Sequence, residues 1–147
     1  MSTCTCYALR KLSRTVTRIY DAHLAVAGLR TTQYSMLRTI AGAPLPMADL
    51  SRKLGTERTT LTRNLKPLID AGWVRLEAGD DARQRIASIT DSGRDAIAAA
   101  KAAWRRAQTL VDETMGLHAV AELHRQADNA LQKLTPLVER IPDVHAA

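Results

Sequence analysis

Apolar side chains recur at spacings of three and four along most of this chain, and polar side chains occupy the positions between them. That period predicts amphipathic helices. The first predicted helix runs from about residue 6 to residue 27 and ends near Gly28. A second covers residues 33–41, with Thr31 or Thr32 as its N-cap. The Gly-Ala-Pro-Leu-Pro run that follows predicts a loop.

Two further helices are predicted in quick succession, separated by a glycine. The first covers residues 47–54, and Gly55 follows in the position that favours a left-handed helix cap. Thr56 is predicted to cap the second helix, which runs to about Ala71 with its leucines on one side. Pro67 removes one backbone donor within this helix, so we expect its last turn to be bent or loosened.

The apolar period then changes from helical to two. Residues 73–77 and 83–89 predict the two strands of a hairpin, with a turn-rich and charged tip between them. Thr90 is predicted to cap a long helix that continues to about Met115, where Gly116 breaks it.

The last predicted helix, residues 117–141, has the pattern of a coiled-coil seam. A single chain would leave that seam uncovered, so we expect a homodimer. The seam consists of Val120, Leu123, Ala127, Ala130, Leu131, Leu134, Leu137, Val138 and Ile141.

Composition supports a helical chain with a polyanionic partner. The 147 residues include no Phe, only 3% are aromatic, and the formal net charge is +6. The positive charge is unevenly distributed: residues 52–106 contain twelve Lys or Arg against seven Asp or Glu, and residues 107–147 contain three against six. We therefore expect the C-terminal helix to lie away from the polyanion.

Several functional classes are not expected from this sequence. The chain has no apolar run of signal-peptide or membrane-span length, and its two cysteines cannot form a disulfide framework, so a cytoplasmic protein without a membrane role is expected. Its histidines lack metal-ligand spacing, and it has no glycine-rich phosphate loop. We therefore expect neither an enzyme nor a protein with a metal or another cofactor.

The exposed side of the helix after Gly55 combines short hydroxyls with long cations, which contact base edges and phosphates in a DNA groove. A solvated surface has similar residue types, but here the acidic Glu57 and Asp70 lie only at the helix ends. The hairpin adds Arg83 and Arg85, expected on one side of a strand and suited to the narrow minor groove. The exposed helix face consists of Thr56, Thr59, Thr60, Arg63 and Lys66.

This order of elements is that of a winged helix-turn-helix. The predicted fold is mainly α-helical, with a two-stranded wing and a helical dimerisation region formed by the N- and C-terminal helices. We assign residues 31–90 to a DNA-binding domain, residues 91–115 to a connecting helix, and residues 1–30 with 116–147 to dimerisation.

The run Leu-Ser-Arg-Lys-Leu-Gly-Thr-Glu-Arg-Thr-Thr-Leu-Thr-Arg-Asn-Leu-Lys-Pro-Leu-Ile-Asp-Ala-Gly-Trp-Val, residues 50–74, resembles the recognition segment of the MarR family of bacterial regulators. Residues 80–94 are similar to that family's wing and the start of its next helix. The resemblance implies homodimers with interlocked terminal helices and DNA contacts at Thr62 and Arg63. It also implies a wing arginine in the minor groove, here Arg83, oriented by Asp81; a purely turn-forming Asp81 is the alternative.

We therefore expect a sequence-specific regulator of transcription, a repressor or less often an activator, that binds a pseudo-palindromic operator in double-stranded DNA. A dimeric module that binds an acidic protein or RNA without operator specificity is the alternative. The complete set of predicted DNA contacts is Thr56, Arg58, Thr59, Thr60, Thr62, Arg63, Lys66, Arg83 and Arg85.

Two inputs are expected to release the DNA. One is a small, aromatic effector between the dimerisation helices and the winged domain, and the other is oxidation of Cys4 and Cys6. Two cysteines two positions apart on a helix point away from each other, which favours a disulfide across the dimer. The candidate effector pocket consists of Tyr7, Tyr20, His23 and Tyr34.

Overall fold

The computed structural model describes residues 4–79, 81, 83–138 and 140–141, and it divides into two compact units, Met1–Ala107 and Gln108–Ala147. The predicted mainly helical fold is confirmed, and each predicted helix is present. The elements are α1 (Thr5–Leu24) with a 3₁₀ turn (Ala25–Ala27), α2 (Thr31–Gly42), β1 (Leu45–Pro46), α3 (Met47–Leu54), α4 (Arg58–Asp70), β2 (Val74–Ala78), β3 (Arg85–Ile89), α5 (Asp91–Met115) and α6 (Leu117–Val138).

The start of α2 differs from the prediction. Its N-cap is Arg30, so the predicted caps Thr31 and Thr32 both lie inside the helix. The backbone N–H of Thr31 donates to Asp21 Oδ1 of α1 at 2.7 Å, and that of Arg30 donates to Gln33 Oε1 at 2.9 Å. A carboxylate of the preceding helix thus satisfies the first N–H group of α2, and the helix begins two residues before the predicted Gln33.

The start of α4 is also shifted. Its N-cap is Glu57, so the prediction of Thr56 as the cap is wrong. Gly55 has a φ of 59°, and after it the N–H of Thr56 bonds back to the carbonyl of Ser51 at 3.1 Å, which ties Thr56 into the end of α3. Pro67 lies inside α4, and the bend at that residue stays a prediction.

The sheet has three antiparallel strands in the order β1-β3-β2. The predicted hairpin is present as β2 and β3, but the predicted loop at residues 42–46 contains β1, whose Leu45 pairs with Ala87. Arg83 precedes β3, so the alternation that placed it on the same side as Arg85 does not apply. A strand of two residues is too short to show an alternating pattern in the sequence. It forms because its backbone pairs with the edge of β3.

Leucines from the helices form the core of the first unit. Leu61, Leu65 and Leu68 of α4 are each at most 1% exposed, as their spacing predicts. Each fully buried leucine contributes roughly 1.5–3 kcal/mol relative to exposure, so this side of α4 is held firmly against the core. The opposite side of α4 consequently faces outward.

A cluster of hydrogen bonds joins the end of α4 to the start of α5. The carbonyl of Gly72 accepts from the Thr90 hydroxyl at 2.7 Å and from the Ser92 hydroxyl at 3.0 Å. The Thr90 hydroxyl in turn accepts from the N–H of Gly93 at 3.1 Å, so the predicted cap of α5 is confirmed. We call these four residues the α4–α5 junction; they hold the end of one helix against the beginning of the next.

In the second unit, α6 ends at Val138, short of the predicted Ile141; positions 139 and 142–147 of the predicted dimerisation region lie outside the described residues. The Glu122 carboxylate accepts hydrogen bonds from the Arg125 guanidinium and, second, from the Gln126 amide, and these bonds lower the pKa of Glu122.

The C-terminal half of the predicted seam is uncovered in a single chain. Its exposed members are Leu131, Leu134, Leu137, Val138 and Ile141.

Candidate nucleic-acid interface

The outward side of α4 is basic and free of acids at its centre. The side chain of Arg63 is exposed opposite the buried leucines, and that of Arg58 is exposed at the first residue of the helix. Neither has a carboxylate within ion-pair distance among the described residues. They line a shallow depression together with Thr59 and Thr62. Exposed guanidinium and hydroxyl groups on one helix face are suited to contact base edges and phosphates.

Two predicted contact residues on α4 are already engaged. The Lys66 ammonium lies 2.7 Å from Asp70, and the Thr62 hydroxyl donates to the carbonyl of Arg58 at 2.9 Å. The Lys66 charge is therefore partly offset by Asp70, and the Thr62 hydroxyl, whose hydrogen is used within the helix, retains only its acceptor lone pairs for another partner. The i,i+4 spacing of Lys66 and Asp70 is the sequence signal for this pair.

The wing presents Arg83 from a turn rather than from a strand. Asp81 Oδ1 accepts from the backbone N–H of Arg83 at 2.9 Å, and the Asp81 carbonyl accepts from the N–H of Gln84 at 2.8 Å. Asp81 therefore shapes the turn in the manner of an Asx turn and orients the Arg83 backbone. The guanidinium of Arg83 is exposed.

The wing, the start of α3 and the start of α4 enclose a cleft of about 300 Å³ that we call the arginine cleft. It brings together three of the predicted DNA contacts, Arg58, Arg83 and Arg85, although Thr56 is not part of it. Sequence reasoning missed this grouping because it depends on the pairing of β1 with β3. Among the described residues, the lining is Pro46, Met47, Ala48, Arg58, Asp81, Arg83, Gln84 and Arg85.

Tyr34, one of the four candidate effector residues, lines a surface pocket. Tyr34 is 3% exposed, and its ring stacks on Trp104 with centroids 6.3 Å apart. The guanidinium of Arg38 lies 5.9 Å from the Tyr34 ring centre, within cation–π range. These three residues and Ser35 line a pocket of about 280 Å³. The Tyr34 hydroxyl is buried without a hydrogen-bond partner among the described residues.

The other three candidates lie on α1 and do not line this pocket. Tyr20 and His23 are half-buried, and His23 Nδ1 is hydrogen-bonded to the carbonyl of Ile19 at 2.8 Å. Tyr7 is 59% exposed, and thirteen helical residues place it roughly 20 Å from Tyr20. The structure therefore does not bring the four together within one chain, and sequence reasoning missed Arg38 and Trp104.

Cys4 and Cys6 are free, exposed thiols at the amino end of α1. Cys4 is the N-cap, with extended backbone, and only Cys6 lies inside the helix. The premise that both thiols point apart on one helix is therefore wrong. In the described part of the chain, no three His, Cys, Asp or Glu side chains form a group that could hold a metal ion, and no helix is long and apolar enough to cross a membrane.

Comparison with known proteins agrees with this architecture. A family model described as the MarR family matches residues 27–84. The Mycobacterium tuberculosis regulator MosR, crystallised with DNA, is 36% identical, with 87% of this chain and 98% of that chain covered and a TM-score of 0.74. An E. coli MarR mutant crystallised with operator DNA has a TM-score of 0.77, over 85% of this chain and 91% of that one, at only 19% identity, which shows a shared fold.

A protein of Bacillus subtilis is similar over a shorter part of the chain. The Bacillus subtilis (strain 168) protein YwoH, described as an uncharacterized HTH-type transcriptional regulator, is 29% identical over 87 residues. The alignment covers 57% of this chain and 62% of that relative's length.

Proposed function

This chain belongs to the MarR family of transcriptional regulators, and from that premise we propose that it binds a pseudo-palindromic operator in double-stranded DNA as a homodimer and represses nearby genes. One observation carries the proposal. The exposed guanidinium of Arg63 lies opposite the three leucines that fix α4 against the core, and neither it nor the exposed Arg58 at the start of α4 has an acidic partner in the described part of the chain. The DNA in the MosR crystal supports it.

In the proposed complex, α4 lies in the major groove and the wing reaches the adjacent minor groove. Arg63 sits in the middle of the exposed helix face, where a guanidinium can donate two hydrogen bonds to a guanine edge. Arg83 projects from the wing turn that Asp81 shapes, and the negative potential of a narrow minor groove favours its charge. Arg63 is thus assigned to base reading and Arg83 to minor-groove binding.

Dimerisation follows from the uncovered seam of α6. Leu131 and Leu137 are 63% and 52% exposed in the single chain, and a second copy would remove them from water. A two-fold dimer presents two recognition helices, and it therefore reads two half-sites about one helical turn of DNA apart.

Replacing Arg63 by alanine is expected to weaken operator binding by about 1–3 kcal/mol and to relax the preference for operator over scrambled duplex. Arg83→Ala should weaken binding to both duplexes and reduce the salt dependence of affinity. Arg125→Ala, which removes an arginine paired with Glu122 on α6, is the charge-matched control. The measurement is fluorescence anisotropy with both duplexes over a salt series.

If Arg63→Ala and Arg83→Ala both bind the operator like the parent protein, the assigned DNA face is wrong. Equal affinity of the parent for operator, scrambled duplex and double-stranded RNA would instead favour the alternative of a non-specific interaction module, because RNA hides its major-groove edges from a recognition helix.

We also propose that a small aromatic effector binds in the pocket at Tyr34 and thereby causes the protein to release the DNA. The pocket offers an aromatic platform in Trp104, a cation in Arg38 and a buried phenol without a partner among the described residues. An aromatic carboxylate would stack on the indole and pair with the guanidinium. Release requires that the effector bind more tightly to the protein conformation that does not fit the operator.

Oxidation of Cys4 and Cys6 is the second proposed input. Both thiols are exposed at the amino end of α1, so peroxide can reach them directly. Peroxide would oxidise two thiols to one disulfide and be reduced to water. The bond joins the two cysteines of one chain or those of two chains, which non-reducing electrophoresis distinguishes.

We expect mild peroxide to lower operator affinity in the parent and not in the Cys4→Ser/Cys6→Ser variant. Aromatic carboxylates should lower the affinity of both proteins, with a weaker effect in Arg38→Gln. Operator anisotropy with and without each agent is the measurement. Identical peroxide responses of parent and serine variant would remove the redox input, and an unchanged ligand response in Arg38→Gln would remove the Tyr34 pocket.

A further inference from the structure

The arginine cleft concentrates positive charge that its own lining does not balance. Three guanidinium groups, those of Arg58, Arg83 and Arg85, line about 300 Å³ of space. The one carboxylate in the described lining belongs to Asp81, and it is already hydrogen-bonded to a backbone N–H. Three cations against one carboxylate leave the described lining with excess positive charge, and an anion among the guanidinium groups would lower their mutual repulsion.

We propose that the arginine cleft is a phosphate-binding site. In the DNA complex it holds one backbone phosphate between the wing and the start of α4, and without DNA it takes a free phosphate anion such as pyrophosphate. The DNA part of this assignment rests on the proposed function, whereas the free-anion part does not. Arg58 and Arg85 are its main ligands, because they flank the cleft from α4 and from β3.

Guanidinium chemistry is suited to phosphate binding here. Each arginine presents a planar fork of N–H donors that matches two phosphate oxygens, and such charge-assisted pairs are stronger than neutral hydrogen bonds. The amide of Gln84 provides a further donor in the lining. Met47, the first residue of α3, also lines the cleft, and no side chain caps that helix, so its first backbone N–H groups are available as further donors.

The size of the cleft is sufficient for a phosphate. About 300 Å³ corresponds to roughly ten waters at their share of liquid volume, which accommodates a partly hydrated phosphate or pyrophosphate. A phosphate contact carries no sequence information. The cleft would therefore set the position of the wing relative to the DNA backbone and leave base reading to Arg63.

The free-anion part is tested on the full chain without DNA. Pyrophosphate is titrated by calorimetry at constant ionic strength, with chloride as the replaced anion. We expect saturable binding of one pyrophosphate per protomer, weakened about tenfold in Arg58→Ala and in Arg85→Ala, as the loss of one charge-assisted contact predicts. Arg75→Ala is the matched control, because Arg75 lies on β2 of the same wing, pairs with Glu77 at 3.3 Å and is absent from the cleft lining.

Equal weakening in Arg75→Ala, or no binding beyond the effect of ionic strength, would overturn the site. Circular dichroism of each variant establishes that a loss of binding is not a loss of folding.

The DNA part is tested with operator and scrambled duplex. Arg58→Ala should lower affinity for both by the same factor and reduce the slope of log affinity against log salt by about one. A loss confined to the operator would overturn the assignment of Arg58 to a phosphate. Pyrophosphate binding by a protein that binds neither duplex would support the anion site while overturning the proposed function.

Discussion

Replacing Leu131 and Leu134 by lysine together is expected to convert the protein into a monomer and to lower operator affinity by at least about 100-fold. The two side chains are 63% and 52% exposed in the single chain and lie on the proposed dimer seam of α6. Burying each leucine contributes roughly 1.5–3 kcal/mol, and lysine in the same place adds an unpaired charge. A dimer gains a factor of roughly 10² to 10⁴ from its second half-site, which a monomer loses.

Sedimentation velocity and operator anisotropy on the same samples are the measurements. The matched control is Ala121→Lys with Gln132→Lys, which adds the same charge to exposed positions of α6 on the side away from the seam. A dimer that survives both leucine substitutions would show that the seam is not the interface. A monomer that binds the operator as tightly as the parent would show that dimerisation is not needed for DNA binding.

Replacing Gly93 by alanine is expected to destabilise the fold by about 3 kcal/mol, although alanine is ordinarily the better helix former. A Cβ at this position would lie 2.3 Å from the backbone oxygen of Trp73 and 2.8 Å from Ile89 Cγ1. Neither neighbour is the end of a flexible chain, since one is backbone and the other is packed in β3. The start of α5 would have to move away from the wing and strain the α4–α5 junction.

Thermal unfolding followed by circular dichroism measures the effect, and we expect the Tm to fall by roughly 10 °C. Gly42→Ala is the control: Gly42 is also helical, but a Cβ there meets nothing within 4 Å, so the Tm should stay level or rise slightly. A Tm for Gly93→Ala at or above that of the parent would mean that α5 shifts without cost, and the close approach to Trp73 would then be unimportant for stability.

The candidate DNA interface was predictable in its residue types but not in its grouping. The spacing of Leu61, Leu65 and Leu68 identifies the buried side of α4, and the basic outward side follows from that alone. The ion pair between Lys66 and Asp70 could also have been predicted, because the two residues are four positions apart on one helix. The arginine cleft was not, because it combines residues from α4 and β3 with the neighbouring start of α3.

By itself, the sequence determined the features that depend on near neighbours along the chain. Helix period, the glycine after α3 and the threonine cap of α5 are local patterns, so α3 and α5 begin and end where the pattern places them. The family and the winged helix-turn-helix order follow from the same local signals.

Only the tertiary structure decided the features that join distant parts of the chain. The carboxylate of Asp21 accepts a hydrogen bond from the first N–H of α2. Leu45 of β1 pairs with Ala87 of β3, and Gly93 lies close to the backbone of Trp73. Each of these contacts connects residues ten or more positions apart, and its partner is selected by packing rather than by propensity. A local pattern contains no information on such partners, because the same residues would form other contacts if the helices packed differently.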